Sequence, residues 1–113
     1  MTADAVQWVT KYGHSNIIYV SSRGVLEYFL EKRLQEFLNT IYEFGNIFFV
    51  AIEPNGTDHD FETQPHSQLY GYEPSFSHNY PRLFKKAGFN LWHFSQKPWH
   101  NGGNIQTFIG AKS

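Results

Sequence analysis

Two short apolar runs limit what this chain can fold into. Ile17-Ile18-Tyr19-Val20 and Ile47-Phe48-Phe49-Val50-Ala51-Ile52 are rich in β-branched and aromatic residues and lack polar alternation. Runs of this kind suit strands covered on both faces, as in a parallel sheet. Between them Leu26, Phe29, Leu30, Leu34, Phe37, Leu38 and Ile41 recur at intervals of three and four. That spacing predicts one amphipathic helix, with Gly45 as its terminator. Strand, helix, strand is a βαβ unit, and a right-handed crossover sets its two strands side by side and parallel.

The flanks extend this core. Val6, Val9 and Tyr12 have helical spacing, so Asp4 to Tyr12 is expected to form a short helix capped by Asp4 and closed by Gly13. Glu53-Pro54-Asn55-Gly56 is expected to end the second strand. Residues 55 to 76 are polar and broken by Pro65, Gly71 and Pro74, which reads as a long loop or lid. Ser77 is taken as the cap of a helix running to Ala87, with Pro81 in its first turn and Gly88 at its end. Phe89 to Ser95 and Ile105 to Ile109 alternate, separated by the turn cluster Pro98 to Gly103, and pair as an antiparallel hairpin. The fold class is α/β with an antiparallel tail, in one domain over residues 1–113.

Composition excludes several functions. Nine Lys and Arg against ten Asp and Glu leave a net charge of −1, without the basic excess of a nucleic-acid binder. Cysteine is absent, which removes disulfides, thiolate zinc sites and Cys nucleophiles. No apolar run approaches the length of a membrane span, and no signal-peptide pattern opens the chain. A cytoplasmic protein is the default expectation. Aromatic residues, however, reach 19% while charged residues are only 17%. Rings in that number either fill the core or line a site or a subunit contact.

The order of motifs resembles the C-terminal half of a class I S-adenosylmethionine-dependent methyltransferase. Asp4-Ala5 is similar to the family's adenine contact. Ile17 to Val20, followed by Ser21-Ser22-Arg23-Gly24-Val25-Leu26-Glu27-Tyr28, is similar to its fourth strand and exit turn. Ile47 to Pro54 resembles its fifth strand. Lys86-Ala87-Gly88-Phe89 resembles the close of its last helix, and Ile105 to Lys112 its final strand. The resemblance implies a partial Rossmann-like fold with sheet order 17–20, 47–52, 105–110, 89–95. It also implies S-adenosylmethionine as the cofactor of the intact family. The Gly-rich first half, whose tight turn lets backbone approach the cofactor, has no counterpart in this sequence. The chain therefore reads as a truncated piece, inactive and without cofactor on its own, with its acceptor unspecified.

Under the resemblance, Asp4, Ala5, Ser21, Ser22, Arg23 and Gly24 fall at the cofactor, and Glu27, Tyr28 and Glu53 toward the acceptor. Each has a plainer reading. Asp4 is a helix cap, Ser21 to Gly24 an ordinary strand-to-helix turn, Glu27 a complement to the helix dipole and Glu53 a turn carboxylate. Tyr70, Tyr72, Trp92 and Trp99 line an acceptor pocket or pack in core and subunit contacts. Asp58, His59, Asp60 and His66 cluster without metal-ligand spacing, and no metal is assigned. His78 is read as a loop residue, His93 as a sheet-face residue and His100 as part of the final turn. Strand 17–20 lacks the neighbour that the family's first strand supplies, so its edge is expected to pair with a second copy in a homodimer. The rival reading is a small α/β dimeric binding module without enzymatic activity, working through residues 55–76. A free-standing hydrolase using the His/Asp loop as a metal site ranks last.

Overall fold

The computed structural model describes residues 11–22, 26–70, 75–98 and 105–113. Most of the expected helix at Asp4 to Tyr12, the residues Arg23 and Gly24, Tyr72, and Trp99, His100 and most of the final turn lie outside the described residues. Lys11 and Tyr12 are helical.

The apolar runs form strands β1, Ile18–Ser22, and β2, Phe48–Asn55. They pair in parallel, Ile18 opposite Phe48 and Ser22 opposite Ile52. Each is entered through an asparagine at positive φ, Asn16 and Asn46, a conformation that Asn tolerates better than most residues. The two side chains hydrogen-bond to each other and so tie the starts of the parallel strands together.

β2 runs past its expected end and carries Glu53, Pro54 and Asn55 inside the strand. The reason lies in its neighbours. β1 stops opposite Ile52, so the last turn of β2 borders only one strand, and proline is accepted where a ladder is open on one side. Two short strands, β3 (Gln68–Tyr70) and β4 (Ser75–Ser77), pair in the segment expected to be an open loop. β5, Asn90–Pro98, and β6, Ile105–Lys112, form the antiparallel tail. β6 inserts between β2 and β5, giving the order β1-β2-β6-β5. That is the order the family resemblance implies.

The striped segment is not one helix. Leu26–Tyr28 is a 3-10 turn, Leu30 is extended, and helix α1 runs over Glu31–Phe44. Leu26 and Leu34 are buried in either arrangement, so periodicity does not register the break, whereas Leu30 turns outward. Gly45 closes α1 at φ 79°. Helix α2, Tyr80–Ala87, is capped by Asn79 rather than Ser77: the Asn79 side chain accepts the Arg82 amide at 3.3 Å. At its other end the Gly88 and Phe89 amides donate to Lys85 and Phe84, a Schellman closure. Gly88 sits at φ 115° beneath the Tyr42 ring, and a Cβ there would approach that ring to 2.7 Å.

Both helices pack on one face of the sheet. Leu34, Leu38 and Ile41 of α1 join Leu83 and Phe84 of α2 over Phe49 and Ala51 of β2 and Ile109 and Ala111 of β6. Phe49 stacks with Tyr19 (5.8 Å) and meets Phe84 edge-on (5.1 Å). The opposite face has no cover among the described residues. Ile18 and Val20 are 66% and 70% exposed, and Phe48 and Trp92 stand out from the same face. No described helix is long and apolar enough to cross a membrane.

Candidate functional site

In an open α/β sheet, ligands bind beyond the carboxyl ends of the parallel strands. Here that edge is formed by Ser21 and Ser22 of β1, Glu53 of β2 and the turn Leu26–Tyr28. Of the residues expected at the cofactor, Asp4, Ala5, Arg23 and Gly24 lie outside the described residues. Ser21 is buried, and Ser22 ends the β1 ladder opposite Ile52. Of those expected at the acceptor, Glu27 is half-buried and Tyr28 exposed.

Glu53 is internal. It is only 1% exposed, and its Oε1 accepts the Leu26 amide at 2.9 Å. The carboxyl thereby fixes the 3-10 turn over the strand ends. Burial raises its pKa to about 7, against the Ser21 hydroxyl and the Leu26 amide, which favour the charged form; the Glu27 charge adds to the rise. A carboxyl so placed holds a proton near neutrality and positions the turn that borders the strand-end site.

Beside this edge lies a second polar cluster. Gln96 donates to the Thr107 hydroxyl (3.1 Å), which donates to Asn55 Oδ1 (2.5 Å). Asn55 Nδ2 donates to Ser77 Oγ and to the His78 carbonyl, both at 2.8 Å. The Gly56 amide also donates to Ser77 Oγ, at 3.0 Å. The Ser77 proton is therefore left for His59 Nδ1 at 2.8 Å, and the network assigns His59 the Nε2–H tautomer, donating to the Gln64 carbonyl at 2.9 Å. This directed chain runs from β5 through the buried end of β2 to the 56–67 loop and fastens that loop to the sheet. Residues 56–67, expected to belong to a long loop or lid, are thus a loop held against the sheet.

His78 is wholly buried and pairs through Nδ1 with Ser67 Oγ at 2.5 Å. Burial lowers its pKa to about 4, against neighbouring backbone carbonyls and the Glu31 charge, so the ring is neutral. Its sequence reading as a loop residue missed that burial. Glu31 does not extend the hydroxyl–imidazole pair into a triad. Its oxygens accept the Ser67 amide (2.5 Å) and lie 3.2 Å from His66 Nδ1. Partial burial acts to raise the Glu31 carboxyl, but these contacts outweigh it and hold the group below its ordinary value.

The His/Asp loop is dispersed in the same way: His59 is inside the hydrogen-bonded chain and His66 faces Glu31. Among the described residues no three His, Asp or Glu side chains converge as metal ligands would. Asn55, Ser77 and Thr107 read in sequence as a turn residue, a helix cap and a strand position, and nothing in their spacing joins them into one cluster. Trp92 packs its ring on Gly110, where a Cβ would come within 2.5 Å of it; Gly110 thus gives the indole room on the open face.

No family model matches the chain, and no curated protein matches it. Among solved structures it is similar to a SAM-dependent methyltransferase from Methanosarcina mazei, with a TM-score of 0.58 at 14% identity. The match covers 85% of this chain and 58% of that one, so the chain spans well under two thirds of that structure. The fold is methyltransferase-like.

Proposed function

We propose that residues 1–113 are the C-terminal part of an S-adenosylmethionine-dependent methyltransferase domain, competent for methyl transfer only together with a Gly-rich first half. The observation that carries this reading is the sheet order, a parallel β1–β2 pair with β6 inserted antiparallel between β2 and β5. The solved methyltransferase of similar fold supports it. In the complete site, Asp4 and Ala5 meet the adenine and Ser21 to Gly24 line the methyl donor. Glu27 and Tyr28 border the acceptor, and Glu53 acts on it by holding their turn in place. Methyl transfer then rests on positioning the acceptor for in-line attack.

The test has two arms. Calorimetry of the chain alone with S-adenosylhomocysteine is expected to give no micromolar binding. A chimera in which this chain replaces the corresponding part of the Methanosarcina mazei protein is expected to bind the same ligand in the micromolar range. Tight binding by the chain alone overturns the requirement for a first half, and a folded chimera without binding overturns the methyltransferase reading.

A homodimer through β1 belongs to the same proposal. Its outer edge has no partner among the described residues, and Ile18 and Val20 present apolar side chains beside it. Light scattering at tens of micromolar is expected to give twice the chain mass, and Val20→Lys to give a monomer of unchanged stability. A monomeric parent chain overturns it. No nucleic acid or membrane partner enters this reading, and the cellular compartment follows only from the default for such enzymes.

A further inference from the structure

Away from the strand ends, α2 and the first half of β5 border an open groove of about 1030 Å³, with Phe61 and Glu62 also in its wall. It shares no residue with the strand-end site, and a ligand held there would bind independently of methyl transfer. Three features of its wall act together. Arg82 and Lys85 project from α2 toward it and make no ion pair among the described residues, against the single carboxylate of Glu62. Phe61 and Phe94 stack, with ring centroids 6.2 Å apart and an interplanar angle of 30°, and together give the groove an aromatic surface. That surface is held in place, because the Asn79 side chain donates to the Phe61 carbonyl at 3.0 Å and the His59 ring packs edge-on against Phe61.

The third feature is a β-bulge. The β5–β6 register passes from Leu91 opposite Ala111 to His93 opposite Gly110, which leaves Trp92 without a β6 partner. The Trp92 ring lies on Gly110, on the sheet face away from the helices. Trp92 and His93 both border the groove beside the bulge. The bulge places one extra residue of β5 between Leu91 and Phe94 along the groove. Bulges gather beside binding sites. The same distortion disfavours pairing of an added strand here, so the groove suits a compact ligand better than an extended peptide.

We propose that this groove binds a small aromatic molecule bearing a carboxylate or phosphate. Its ring lies on the Phe61–Phe94 surface, and its anionic group is held by Arg82 and Lys85.

Titration of the chain with naphthoate and naphthyl phosphate, followed by amide chemical shifts, tests the assignment. Either anion is expected to bind with submillimolar affinity and to move the amides of Phe61, Lys85 and Asn90 to Phe94; the tighter of the two names the anionic group. Neutral naphthol is expected to bind at least about tenfold more weakly, and the double variant Arg82→Gln, Lys85→Gln to lose about tenfold or more for the anions. Lys86→Gln, on the neighbouring surface of α2, is expected to change nothing. Shifts confined to other regions, equal binding of naphthol, or an equal loss in Lys86→Gln overturns the proposal. So does the absence of binding at millimolar concentration. Both Arg82 and Lys85 lie outside the buried core, and the unchanged spectrum of the remaining amides reports that the double variant stays folded.

Discussion

The two ends of β2 bury the same face by different means. At the entry end Phe49 and Ala51 sit under the helices, 2% and 1% exposed. At the exit end Glu53 and Asn55 are each 1% exposed. The entry end is held by contact of rings and methyl groups, which tolerates small displacements because burial has no direction. The exit end is held by hydrogen bonds to named partners: Leu26 for Glu53, and Ser77, His78 and Thr107 for Asn55. A polar group buried without its partners costs far more than it contributes when paired. The exit end therefore specifies one placement of the 3-10 turn and the 56–67 loop, where the entry end only demands that something apolar lie on top.

Truncating the entry end gives the largest effect. Phe49 contacts both Tyr19 and Phe84, so Phe49→Ala opens a cavity joining β1, β2 and α2. A loss of about 3–5 kcal/mol is expected in denaturant unfolding, spread over the whole molecule. A loss under about 1 kcal/mol would mean that the helices do not rest on this ring. Asn55→Ala is expected to cost less, about 2–3 kcal/mol, because two donated bonds and one accepted bond go while little volume is lost. Its signature is local. Amide exchange is expected to speed up over residues 56–67 and at Ser77, with β1 and α1 protected as before. Uniform acceleration would erase the distinction between the two ends.

The entry end was legible in the sequence and the exit end was not, and the reason is physical. Apolar burial leaves a periodic trace that needs no partner to be recognised: the two runs, the Leu/Phe stripe and the alternating tail give the parallel pair, the hairpin and the core, while the resemblance supplies the order that joins them. The stripe misled only at Leu30, where a turn and a helix share one buried face. Hydrogen-bonded burial leaves no such trace. Asn55, Ser77 and Thr107 lie far apart in sequence and read one at a time as a turn residue, a helix cap and a strand position. Asn79 was missed as the cap because Ser77 is an equally good capping residue, and here it is consumed by Asn55, Gly56 and His59. The placement of Ser21, Ser22 and Glu53 at one sheet edge was legible, since all three follow directly on the two apolar runs. The depth of Glu53 was not, because it depends on the 3-10 turn folding over it.

The smallest effect sharpens the comparison through pH. Glu53 rises from 4.5 to about 7 on folding, so the folded chain keeps a proton that the unfolded chain releases. Its contribution to stability is complete below pH 4.5 and is lost as pH climbs through 7. His78 falls from 6.5 to about 4, so its contribution is complete above pH 6.5 and is lost as pH drops through 4. The two slopes oppose each other between pH 4.5 and 6.5, and the parent chain is expected to show a nearly flat stability there. Glu53→Gln keeps an acceptor for Leu26 and cannot ionise. It is expected to match the parent near pH 4.5 and to become the more stable of the two as pH rises through 7. His78→Gln is expected to leave only the descending slope. Thermal or denaturant melts across this range for the three chains decide it. Parallel curves would mean that neither group changes its proton affinity on folding, and that the exit end is shaped by hydrogen bonds alone.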